Sequence, residues 1–104
     1  MSIKNNRVKR KDGPTWELRV YVANCKTRSA VTVANLERLC EQSIPGRYRI
    51  EIVDLLKTPE RCRKDRIVAI PTVVRCFPLP ERRAVGTLVD QRAAIAALEL
   101  DVVN

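Results

Sequence analysis

Residues 17–23 read ELRVYVA. Leu18, Val20 and Val22 alternate with Arg19 and Tyr21, and a period of two marks a strand with one apolar face. A polar loop follows, and then Val33, Leu36, Leu39 and Cys40 recur at the spacing of one helix face. The helix is expected from about Ser29, whose hydroxyl can accept from the first free amides. Pro45-Gly46 ends it. Residues 48–55, YRIEIVDL, predict a second strand with Ile50 and Ile52 turned inward. Two strands joined by a helix of this length run parallel, and this unit commits the chain to an α/β architecture.

The second half has a different grammar. Thr58-Pro59 opens a short helix, with threonine as cap and proline in the first turn. This segment carries Arg61, Arg63, Lys64 and Arg66. Residues 68–72, VAIPT, lead into a third strand over 73–77, and Pro78 and Pro80 close it. A short fourth strand over 83–85 stops at Gly86. Helix signals return at Thr87 and Asp90 and run through 91–100, with Ile95, Leu98 and Val102 marking the inner face. The order is βαβαββα, a parallel half and a hairpin half on one mixed four-stranded sheet, which describes a thioredoxin-like fold. That fold places a proline in the cis form just before its third strand, and Pro71 stands at that place as a candidate.

With 104 residues there is room for one domain, over 15–104. Residues 1–14 read as a flexible basic arm, with Lys4, Arg7, Lys9, Arg10 and Lys11 set against Asp12. Such an arm serves solubility, or it finds nucleic acid or an acidic protein surface. No apolar run approaches the roughly 18 residues of a membrane span, and none follows the N-terminus as in a secretory signal. The expected location is therefore the cytoplasm.

The residues available for chemistry are few. The chain has no histidine, which removes the usual general base and every Cys-His dyad or Cys-His zinc site. Cys25, Cys40, Cys62 and Cys76 lack the close spacing of a zinc knuckle. No cofactor and no metal site is expected, although four thiolates could in principle hold a metal. Cys40 and Cys76 fall on apolar faces and read as core. Cys25 sits in the loop where thioredoxins hold their nucleophilic thiol, but the resolving position is Arg28. A monothiol redox protein using Cys25 is thus one alternative reading, and a nucleic-acid binder using the basic arm is another. The formal charge of +8 supports the latter, but Trp16, Tyr21, Tyr48 and Phe77 do not group as a stacking platform, and nucleic acid is not expected as the main partner.

Five segments in order, LRVYVA (18–23), PGRY (45–48), VDLLKTP (53–59), IPT (70–72) and PLPERRAVG (78–86), together resemble the KaiB family of circadian-clock proteins. The resemblance runs from about Leu18 to Leu100 without an obvious gap and leaves the basic arm outside it. It implies a non-enzymatic protein that docks on the N-terminal ATPase ring of KaiC, a hexamer, modulates circadian or related signalling, helps to sequester KaiA and competes with a thioredoxin-like sensor kinase domain. It also implies fold switching, in which a tetrameric ground state rearranges its C-terminal half into the thioredoxin-like monomer; that ground-state fold is the alternative architecture here. Lys57, Arg66, Arg82 and Arg83 fall on basic positions of the family pattern and are the expected partner-binding residues.

The chain also departs from the pattern. Cys25-Lys26-Thr27-Arg28 replaces the family's Asn-Thr-Pro loop. Arg49 and Glu51 replace a small residue and a lysine on the edge that the clock proteins use for KaiA, so a KaiA partner is doubtful. Ala97-Leu98-Glu99 replaces Gly-Leu-Asp. Alanine is better than glycine in a helix by about 1 kcal/mol, and glutamate is expected to push the same way, so Ala97 and Glu99 favour the thioredoxin-like state, mostly as a monomer.

Overall fold

The computed structural model describes residues 15–23 and 27–100. In chain order the elements are β1 (Trp16–Val22), α1 (Thr27–Ser43), β2 (Tyr48–Asp54), α2 (Glu60–Lys64), β3 (Thr72–Phe77), β4 (Arg82–Val85) and α3 (Gln91–Leu98). The strands form one sheet in the order β2-β1-β3-β4. β1 pairs with β2 in parallel and with β3 antiparallel, and β3 pairs antiparallel with β4. This is the thioredoxin-like α/β fold with its mixed four-stranded sheet.

The alternation in β1 separates the two faces. Trp16, Leu18, Val20 and Val22 enter the larger core with Leu36, Leu39, Cys40 and Ile44 from the α1 side, Ala94 and Leu98 of α3, and Leu88 and Leu100. Tyr21 points the other way, into a smaller cluster with Val53, Leu55, Ile67 and Val74, bordered by Cys62 and Cys76. Both sides of β1 are thus apolar where a helix covers them. The turn at Pro45-Gly46 closes on Gly46 at φ 73°, a left-handed conformation that glycine adopts without Cβ strain. Arg47 then accepts from the Trp16 amide at 2.8 Å, which starts the parallel ladder.

Several local expectations give way to tertiary context. α1 begins at Thr27, so Ser29 is inside the helix and does not cap it. Thr58 does not cap α2: the N-cap is Pro59, and the Thr58 hydroxyl donates back to the Asp54 carbonyl at 3.1 Å. Ile50 packs on the larger core, but Ile52 is 47% exposed, because β2 is an edge strand and the covering layer ends before it. Cys76 is only partly buried. The last helix starts as expected, with the Asp90 carboxylate accepting from the Ala93 amide at 3.1 Å. It stops at Leu98, two residues early, and Val102 lies outside the described residues. Ala97 is in the last turn, where alanine favours helix. Glu99 is at the C-cap with φ 55°, a left-handed conformation that its helix propensity does not favour. The Ile70-Pro71 bond is cis, as expected of Pro71, and so are Phe77-Pro78 and Leu79-Pro80.

Candidate docking surface

The surface with most chemistry is built around α2, which runs across the smaller cluster. Asp54, at the end of β2, organises the approach: its carbonyl accepts from the Lys57 and Thr58 amides and its carboxylate from the Leu56 amide at 2.9 Å. Lys57 is exposed on this turn. Asp65, just beyond α2, pins the helix to the sheet. One oxygen, Oδ2, accepts from the Tyr21 hydroxyl at 2.6 Å and from Arg61 Nε at 2.9 Å. The Tyr21 bond and Arg61 hold the Asp65 carboxyl below its ordinary pKa, against the opposing effect of burial. Burial, followed by the bond to Asp65, pushes the Tyr21 phenol up.

The C-terminus of α2 then turns sharply. The Ile67 amide donates to Cys62 and the Arg66 amide to Arg63, the paired bonds of a Schellman motif. The left-handed position usually given to glycine is here Arg66, at φ 57°. Arg83 reaches over from β4 to complete the turn. Its Nη1 donates to the Arg66 carbonyl at 2.8 Å and its Nη2 to the Asp65 carbonyl at 2.7 Å, while its Nε pairs with Glu81 at 2.7 Å.

The four expected docking residues are therefore not equivalent. Arg66 and Arg83 are brought together, and Lys57 lies where the chain leaves β2 for α2. Arg82 projects to the opposite face of β4, where its Nε pairs with Glu99 at 2.8 Å. The guanidinium of Arg83 is fully engaged inside the molecule. Lys57, Arg63, Lys64 and Arg66 are exposed and make no ion pair among the described residues. Sequence reasoning missed several exposed apolar side chains: Val68 is 95% exposed, Val85 63% and Ile70 43%. The alternating pattern gave no warning of Val68, which looks like any residue approaching a buried strand.

The redox alternative is not joined by any second thiol at Arg28, and Cys25 lies outside the described residues, as do the basic arm and Asp101 to Asn104. Among the described residues, no group of three or more Cys, Asp or Glu side chains could hold a metal ion, and no helix is long and apolar enough to cross a membrane.

Fold and surface together define a thioredoxin-like domain that presents a cationic helix end. Solved structures agree on the fold. The N-terminal domain of Synechococcus elongatus SasA superposes with a TM-score of 0.68 over 89% of this chain and 90% of that one, at 16% identity. Mitochondrial thioredoxin 3 of Saccharomyces cerevisiae gives 0.62 over 83% and 78%, also at 16% identity. The model of the KaiB domain matches residues 19–100, and the chain belongs to the KaiB family of circadian clock proteins. The "Circadian clock oscillator protein KaiB" of Synechococcus elongatus is 34% identical over 86 residues, covering 83% of this chain and 84% of that protein. Its namesake from Nostoc punctiforme is 33% identical over 86 residues, with 83% of each covered.

Proposed function

We propose that this chain is a non-enzymatic cytoplasmic adaptor that docks, mostly as a monomer, on a hexameric KaiC-type ATPase and so modulates circadian or related signalling. Beyond family membership, one observation carries the reading: Lys57, Arg63, Lys64 and Arg66 are exposed around α2 with no ion pair among the described residues. Cations left unpaired on one surface steer association with an acidic partner and contribute at the rim of its interface. In this reading Lys57 and Arg66 touch the partner directly. Arg83 holds the turn that presents Arg66, and Arg82 contributes from the far face of β4. KaiA is left out of the proposed partners, because Glu51 reverses the charge on the β2 edge and is already paired with Arg19 at 2.8 Å.

Light scattering after size exclusion, on the protein alone and mixed with the host's KaiC-like ATPase, tests the reading. A monomer that moves onto the hexamer peak is the expected result. Arg66→Glu should weaken the complex by about tenfold at low salt and by less at high salt. A protein that forms no complex at micromolar concentrations would remove the ATPase as its partner.

A further inference from the structure

The antiparallel pairing of β4 leaves one side of that strand open. The Gly86 amide donates to the Pro71 carbonyl at 2.9 Å, so that facing pair is of the hydrogen-bonded kind. Facing pairs alternate in an antiparallel ladder. With Thr72 opposite Val85, Val73 opposite Ala84, Val74 opposite Arg83 and Arg75 opposite Arg82, Ala84 and Arg82 bond back to β3. The N–H and C=O groups of Arg83 and Val85 then point away from the sheet. β4 is the last strand in the order, and among the described residues nothing pairs with that side.

The surroundings of the edge are not those of a merely guarded one. Short length and charge are common ways to blunt an edge, and β4 has both. Yet Val85 on the strand itself is exposed, as are Val68 and Ile70 on the segment leading into β3. Arg66 and Arg83 stand beside them, joined through the Arg66 carbonyl.

We propose that the outer edge of β4 is a strand-addition site for an extended segment of a partner protein in which every second residue is in turn aliphatic and acidic, so that both kinds lie on the face that Arg83 and Val85 share. The segment's backbone bonds to Arg83 and Val85, its aliphatic side chains on that face cover Val85, and its carboxylates face Arg66. A second copy of this chain fits poorly, because its formal charge of +8 repels itself and its own β4 would bring arginines to arginines. This inference rests on the edge geometry and shares only Arg66 with the ATPase reading.

The test uses the full chain and a short capped peptide in which valine and glutamate take turns at every second position with threonine between them, followed by amide hydrogen exchange resolved by residue. Saturating peptide should slow exchange at Arg83 and Val85 by about tenfold or more, with little change at Ala84, whose amide already bonds to β3. A valine–lysine peptide, and a valine–glutamate peptide N-methylated on its bonding edge, should both fail to protect. Val85→Pro removes one outward N–H at an edge position that tolerates proline, and it should abolish protection at Arg83; the methylated peptide makes the same point without altering the protein. No protection at Arg83 and Val85, equal protection by the lysine peptide, or protection that rises with protein concentration without peptide would each overturn the proposal. These outcomes mean, in turn, a guarded edge only, an apolar contact without charge selection, and a second copy as the occupant.

Discussion

Arg83 Nη1 donates to the carbonyl oxygen of Arg66 at 2.8 Å, so a residue of β4 closes the C-terminus of a helix on another element. The same device recurs at the end of α3. Arg75 of β3, 3% exposed and lying with its guanidinium 5.1 Å from the centroid of the Trp16 ring, donates to the Leu98 carbonyl at 3.0 Å and to the Pro80 carbonyl at 2.7 Å. In both places the next turn of chain passes through a left-handed residue that is not glycine, Arg66 or Glu99. Arginine suits this work because its planar fork can satisfy two carbonyls at once, and a cation at a helix C-terminus is favoured by the helix dipole.

The left-handed turn at Arg66 separates stability from binding. Glycine at that position relieves the Cβ strain, so Arg66→Gly should raise the unfolding free energy by about 1 kcal/mol. It should also weaken the ATPase complex, because the exposed charge is gone. Urea denaturation and size-exclusion binding on the same preparation check both. A variant that loses stability would mean that the Arg66 side chain supports the turn through its packing.

Tyr21→Phe keeps the ring and removes the hydroxyl that donates to Asp65 at 2.6 Å. A hydrogen bond to a carboxylate at a nearly buried ring is worth about 2 kcal/mol. The urea midpoint should fall accordingly, and exchange of the α2 amides should quicken more than that of α1. Equal acceleration in both helices would show that the bond does not specifically hold α2.

Asp65 makes stability depend on acid. Its carboxyl is held below the ordinary value by the Tyr21 hydroxyl first and Arg61 next, so folding favours the ionised form. That stabilisation is fully present above about pH 4, the ordinary aspartate range, and is lost as pH falls through the lower folded-state value. The urea midpoint of the wild type should therefore drop below about pH 4 more steeply than that of Tyr21→Phe. Parallel profiles would assign the shift to Arg61 alone.

Cys40 should resist alkylation in the folded protein. It is fully buried, and burial, with Glu41 and Glu37 nearby, pushes its thiol pKa up. Only the thiolate reacts at a useful rate. Mass spectrometry after iodoacetamide treatment should find Cys62 labelled well before Cys40, which reacts only at the rate of unfolding. Labelling of Cys40 as fast as Cys62 would contradict its burial.

Much of this architecture was legible where a single physical signal dominates. The period of β1, the stop at Pro45-Gly46 and the start of the last helix at Asp90 are local, and these three lie where the pattern put them. Readings that depend on neighbours fared differently. Ile52 has the right period for burial, but no pattern within β2 tells that the strand lies at the edge. Ser29 and Thr58 are good capping residues, yet α1 starts two residues before one and the other bonds backward to Asp54. Glu99 was read by helix propensity, which has no bearing on a left-handed cap. The basic positions were legible as charges, but not their engagement. Arg83 and Lys57 look alike in the sequence, and only the folded chain shows that one guanidinium is spent on Asp65, Arg66 and Glu81 while the other cation is exposed to solvent.

The two faces of the sheet are unequally insulated. One is covered by α1 and α3; the other has α2, five residues long, over a small cluster and a polar anchor at Asp65. With so little apolar area to lose, the α2 side is the compliant side of the molecule and should open locally before the α1 side yields. The exposed cations are on that side. A partner seated there grips the part of the chain that gives way first, and its hold should register as fewer excursions of α2 away from the sheet, with the resistance of the α1 side to denaturant little changed.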